Sequence, residues 1–276
     1  MNHQKKDQRI FKELIRFLDK KKILTASLGQ LVVEIGKFFL EKPYVDGTLD
    51  AGKSEHLVVN LRELDCVTFV ENVIALAWCV ESRRASFEGF RRLLQDIRYR
   101  QERRQGYASR LHYFSDWLHD NQKKGIVRDV TAEVGGRPYR KTINFMTTHT
   151  NLYPLLKKEA NLRKMKSVER AISRRSLYYI PKKVVKTLKD RIIDGDIIAI
   201  TTITEGLDVQ HVGLAVRVKN RIHLLHASSA EGKVVLSKQT LYRYLMQSRT
   251  RSGIRGARVS GEGSRIPGYK GSKGRR

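Results

Sequence analysis

The chain has 276 residues, 40% of them hydrophobic, and a formal net charge of +27 from 55 lysines and arginines against 28 acids. That length bounds it to one large domain or two small ones, and apolar residues spread along it exclude global disorder. Two cysteines exclude a disulfide framework and a four-cysteine zinc site, while the charge points to polyanions: nucleic acid, anionic lipid or anionic cell-wall polymer.

From the N-terminus, residues 6–20 and 27–40 carry helical periodicity. The stretch "ILTASLGQLVVEIGKFFL" is broken by Glu34 and Lys37, so it reads as an amphipathic helix turning Leu31, Ile35, Phe38 and Phe39 to a core. It is neither a signal-peptide core nor a membrane span. "EKPYVDGTLDAG" is a turn-rich loop, and "EHLVVNL" is an extended lead into the next helix.

That helix opens at Cys66, within "NLRELDCVTFVENVIALAWC". Val67, Val70, Ile74, Ala77 and Trp78 recur at spacings of three and four, and Asp65 is placed as its N-cap. Unpaired N–H groups and the dipole favour negative charge in a first turn, so a thiol there is expected to ionise more readily than a free one. A small buried hydrophobe is the plainer reading of any cysteine, and Cys79, deep in the apolar run, fits it.

Two more amphipathic helices follow in "SFEGFRRLLQDIRYR" and "RLHYFSDWLHDNQKKG". "IVRDVTAEVGG" has strand character, and residues 151–175 read as a basic helix. The chain then turns to strands: "GDIIAITT", then "VQHVGLAVRV" and "RIHLLHAS" joined by a Lys-Asn-Arg turn, a hairpin signal. "VVLSKQTLYRYLMQ" ends in a helix and "GIRGARV" closes the sheet, while "GEGSRIPGYKGSKGRR" reads as a flexible basic tail. Helices first and strands later give an α+β chain. We divide it into a basic helical segment (1–25), a main domain (26–259) and a tail (260–276).

Nucleophilic cysteine catalysis needs a thiol, an imidazole to shuttle its proton, and a polar group on the imidazole's other nitrogen. Neighbouring hairpin strands can set His211 and His226 side by side, with His223 turned to the opposite face. His149, in "FMTTHTNLYP", is a competing base; His56, His112 and His119 have no supporting pattern. The residues alone leave open a zinc hydrolase with Cys66, His211 and His226 as ligands, and a nucleic-acid or polyanion binder driven by charge.

"DCVTFVEN", then "HVGLAV" and "LLHAS", resemble the NlpC-type papain-like cell-wall hydrolases. The segments "KPYVDGTL", "INFMTTH" and "GDIIAITT", in that order, are similar to one branch in particular, the N-acetylmuramoyl-L-alanine amidase-like group, over residues 26–259. The resemblance implies a papain-like fold with a catalytic helix packed on an antiparallel sheet. It implies Cys66 as nucleophile, His211 as base and His226 as the residue orienting it. Tyr44 and Asp65 fall at substrate-binding positions, and no metal or organic cofactor is implied. The expected activity is hydrolysis of the muramoyl–L-alanine amide of peptidoglycan fragments through an acyl-enzyme; the alternative is a stem-peptide endopeptidase of the same superfamily. Expected partners are muramyl peptides and anionic cell-wall polymers, with no specific nucleic acid and no membrane span. The resemblance places the protein in the cell envelope or periplasm, whereas the N-terminus shows no export signal, which leaves the cytoplasm open.

Overall fold

The helix that opens at Cys66 is apolar around most of its circumference, with Thr68, Glu71 and Asn72 its only polar residues between Val67 and Val80, a pattern that fits a helix surrounded by protein. In the computed structural model, which describes residues 3–23, 27–52, 54–82, 85–188 and 190–260, that helix (α3, Cys66–Glu81) is buried continuously from Thr68 to Val80. Around it pack α1 (His3–Lys20), α2 (Leu28–Phe38) and α4 (Phe87–Arg98). α1 contributes Ile10, Phe11, Leu14 and Leu18 to the shared core, so this strongly basic helix buries one face and leaves its cations on the other. Its buried Asp7 accepts hydrogen bonds from the Leu61 amide and the Arg62 guanidinium, fastening it to the segment that leads into Cys66. The expected basic tail lies, from residue 261 onward, outside the described residues.

Beyond α4 come α5 (Phe114–Lys123), β1 (Val127–Asp129), β2 (Arg137–Tyr139), α6 (Phe145–Thr148) and α7 (Glu159–Ser173). β3 (Leu177–Pro181), β4 (Ile197–Thr202), β5 (Val209–Val218), β6 (Arg221–Ser228), β7 (Lys233–Thr240), α8 (Leu241–Met246) and β8 (Arg251–Val259) complete the chain. The architecture is α+β. Its antiparallel sheet runs β2-β3-β8-β4-β5-β6-β7, with β1 also paired to β8. The β5–β6 hairpin turns at Lys219 and Asn220, both with positive φ.

The sheet separates two cores. On the α3 side lie Val212, Leu214 and Val216 of β5 with Leu225 and Ala227 of β6. The alternate residues Ala215, Ile222 and Leu224 face a second cluster that includes Leu241 and Leu245 of α8. Strand parity therefore sends His211 and His226 to the second face and His223 to the first, as the alternation predicts. The sequence reading missed β2 and β3. It also began α5 four residues too early: residues 110–113 are extended, and Arg110 bridges Tyr99. A third cluster, with Tyr113, Ile143, Met146 and Ile172, fills the space beside the sheet and walls the site.

Candidate active site

α3 begins where it does because Asp65 caps it. The Asp65 carboxylate accepts from the amides of Val67 (2.9 Å) and Thr68 (2.7 Å), and the Thr68 hydroxyl accepts from the Asp65 amide (2.9 Å). This reciprocal cap fixes Cys66 as the first helical residue. Behind it Arg98 of α4 donates to Glu71 of α3 at 2.7 Å, both fully buried, and Asn72 donates to the carbonyl of Asn60.

The two strand histidines meet. The His211 Nε2 and His226 Nδ1 atoms are 2.7 Å apart, with rings crossed at 87°. Two backbone features make this possible. β4 and β5 slip register between Ile200 and Thr201, so that Ile200 faces His211 but Thr201 faces Val209, leaving Gln210 as a bulge beside the histidine. Gly213, next on His211's face of β5, supplies the room: a Cβ there would stand 2.9 Å from Cβ of His226. The glycine of "HVG" is thus the gap into which His226 fits.

A cleft of about 140 Å³ joins Cys66 to His211, walled by His112, Tyr113, Met146, Tyr153 and Asp208. Val212, the residue after His211, also lines the cleft, and its amide lowers the Cys66 thiol pKa against the effect of burial. His226 lies behind, 2% exposed. Tyr44 and Asp65 do not line this cleft. Tyr44 bridges Leu64 just before the cap, and burial, with the charges of Cys66, Asp46 and Asp65, raises its phenol above the ordinary range. Asp65 is committed to its cap, and burial raises its pKa despite the Thr68 hydrogen bonds. His149 stacks on Phe145 and bonds that residue's carbonyl, away from the cleft; His223 bonds the Ser237 carbonyl on the other face.

The ionisation of the cysteine reverses the expectation from helix position. Burial, reinforced by the neighbouring Asp65 charge, pushes the Cys66 thiol up to about 12, against the opposing pull of the Val212 and Cys66 amides. Burial and the charge of its partner lower His211 to about 3, and burial and Arg251 lower His226 to about 4. At neutral pH the resting site therefore holds a neutral thiol and two neutral imidazoles. Among the described residues no three His, Cys, Asp or Glu side chains form a group able to hold a metal ion, and the paired nitrogens of His211 and His226 face each other. Cys79 is buried, its thiol directed to the Ser86 carbonyl, and both cysteines are free.

Sequence reasoning missed three contributors. His112 reaches the cleft with Nε2 on the Tyr107 carbonyl (2.9 Å); burial and Arg110 hold its pKa well below the usual imidazole range. A neutral ring donating from Nε2 keeps Nδ1 as an acceptor. Tyr244 of α8 packs edge-on against His226 (5.4 Å), and Arg251 stacks on Tyr244 at 3.9 Å while donating to its carbonyl. Only the aromatic residues of "LYRYLMQ" hinted at this.

A family described as AmiA-like, N-acetylmuramoyl-L-alanine amidase-like, matches residues 34–254. Among solved structures, an N-acetylmuramoyl-L-alanine amidase from Bacteroides uniformis is 40% identical, with a TM-score of 0.81 over 86% of this chain and 100% of its own. A Bacteroides fragilis protein provisionally described as a xylanase is also 40% identical (TM-score 0.76; 82% of this chain, 100% of its own). A Legionella pneumophila protein, 22% identical, shares the fold at a TM-score of 0.71 over 94% of this chain and 96% of its own. No curated protein matches the chain.

Proposed function

Since the chain belongs to the N-acetylmuramoyl-L-alanine amidase-like family, we propose that it is a papain-like cysteine amidase of the NlpC type, cleaving the bond between the lactyl carbonyl of N-acetylmuramic acid and L-alanine in peptidoglycan fragments. The observation that carries this reading is one cleft shared by Cys66 and His211, with His226 hydrogen-bonded behind.

The mechanism follows from the tautomers the contact allows. If His211 donates from Nε2 to His226 Nδ1, its own Nδ1 keeps a free lone pair. That lone pair takes the proton of Cys66 as sulfur bonds to the carbonyl carbon. Because thiol and imidazole start neutral, transfer and attack proceed together, and the charge that arises on His211 strengthens its hydrogen bond to His226. The oxyanion forms beside the Cys66 amide, since the Asp65 cap occupies the amides of Val67 and Thr68. His211 returns the proton to the leaving nitrogen as the C–N bond breaks, releasing the peptide amine and leaving a thioester. Water, deprotonated by His211, then releases the carboxylate, and the proton returns to sulfur.

The xylanase description of one relative finds no support in these residues. Glycoside hydrolysis uses two carboxyl groups across the bond. The cleft offers one, Asp208, whose oxygens accept the amides of Ser115 (2.7 Å) and Val209 (2.8 Å). The test is purified protein with defined muramyl peptides and mass analysis of products. A peptide with a free L-alanine terminus together with unsubstituted muramic acid supports the amidase. A shortened stem still attached to the sugar identifies the endopeptidase instead.

A further inference from the structure

The far end of the β5–β6 hairpin holds a second cavity, about 670 Å³ against the 140 Å³ of the cleft at Cys66. It begins about five residues, or ~17 Å, along β6 from His226. Lys219 and Arg221 rise from the hairpin turn, Lys186 from the short helical turn 185–188, and Arg243 from the start of α8. No carboxylate among the described residues lines it. Among the described residues none of these four cations is in an ion pair, although cations elsewhere commonly are: Arg98 pairs with Glu71, Arg110 with Asp50, Arg258 with Asp196. The floor is apolar, built from buried Val185, Ile222 and Leu241, with the half-buried ring of Tyr242 at the side.

Four like charges around one concavity repel one another, and among the described residues no acid lines the cavity to offset them. A ligand with several negative charges would relieve that repulsion. The volume is that of a small-molecule site rather than a polymer groove. A phosphate chain puts several negative charges on few atoms and matches arginine forks and lysine point charges; the apolar floor and Tyr242 suit a flat body. We infer that this cavity binds a small ligand with two or more phosphate charges on an aromatic body, a nucleoside diphosphate in chemical class. The inference goes beyond the hydrolytic reading of Cys66 and does not depend on it.

Calorimetric titration with ADP and with inorganic pyrophosphate, at fixed ionic strength, tests it. The expected result is one saturable site, with ADP bound more tightly than pyrophosphate. Arg221→Gln combined with Arg243→Gln weakens ADP by at least about tenfold, the loss of two charge-assisted contacts. Lys164→Gln with Lys166→Gln on α7 removes the same charge elsewhere and changes affinity less than about twofold. Arg221 and Arg243 are exposed, and circular dichroism confirms that each variant is folded. Three results overturn the proposal: no saturable binding, equal weakening in both double variants, or pyrophosphate bound as tightly as ADP. The first two would show only the diffuse attraction of a +27 chain.

Discussion

Gly213→Ala isolates what holds the histidine pair together. The added Cβ would lie 2.9 Å from Cβ of His226, 2.9 Å from the Leu225 carbonyl oxygen and 3.0 Å from a Leu224 methyl. Carbon–carbon contacts settle at about 3.5–4.0 Å, so β6 must retreat by roughly half an ångström or more. It has little freedom to do so, because β5 and β7 pair with it on either side. Overpacking of this kind costs about 1–3 kcal/mol, or roughly 2–12 °C in Tm for a chain of this size. The retreat also pulls His226 from His211. Losing one charge-strengthened hydrogen bond, worth about 1.5–3 kcal/mol, lowers kcat/KM on a muramyl peptide by roughly ten- to a hundredfold. Gly256→Ala in β8 is the control, since its Cβ would meet only a Val130 methyl at 3.3 Å; activity is retained there. A Gly213→Ala enzyme that loses Tm but keeps kcat/KM within about twofold would refute the claim that this glycine places His226.

Cys66→Ala abolishes hydrolysis of muramyl peptides while Cys79→Ala, which empties a core position, keeps it with a Tm lower by a few degrees; an active Cys66→Ala ends the mechanism. Because the Cys66 thiol sits near 12, its alkylation by iodoacetamide, followed by mass spectrometry, climbs steadily past about pH 9; a plateau already reached at neutrality would mean a resting thiolate–imidazolium pair instead. His226→Asn, which can still accept from His211, retains more activity than His226→Ala; equal loss in kcat/KM would remove the orienting role. The histidine pair also sets an acid limit. Unfolded imidazoles bind protons near 6.5, the folded ones only near 4 and 3, so their contribution to stability is present above about 6.5 and is lost as pH falls through those lower values. Urea unfolding between about pH 7 and pH 4 should show wild type losing stability relative to a His211→Gln/His226→Asn variant, and parallel curves would contradict the depressed pKa values.

The strands that hold the paired histidines were legible because their side chains alternate between two buried faces. "VQHVGLAVRV" and "RIHLLHAS" coincide with β5 and β6, and parity alone separated His223 from His226. β3 was not legible: "LYYIP" lies between basic segments, and its pairing with β8 comes from residues more than seventy positions away. The start of α5 was misread because Leu111 and Tyr113 continue the helical spacing while Arg110 is drawn into a tertiary pairing with Asp50 and Glu55. The sequence offered Cys66, His211 and His226 as candidates, and the fold brings Cys66 and His211 to one cleft with His226 against His211. The bulge at Gln210, the Tyr244–Arg251 stack and His112 could not be named from sequence, since each depends on register or on burial rather than on local pattern.

The thiol shows where local reasoning stops. A helix N-terminus favours a thiolate by roughly 0.3–1 kcal/mol at an exposed site. Burial against α3, β5 and the third cluster acts in the opposite direction, and the Asp65 carboxylate, the group that caps the helix, adds its own repulsion. Burial is the larger cause, and Asp65, which builds the helix start, adds to it. A neutral thiol is the less reactive form toward oxidants and electrophiles. In the proposed mechanism, activation belongs to the bound complex, where His211, which lines the same cleft, takes the proton and the substrate amide supplies the developing oxyanion.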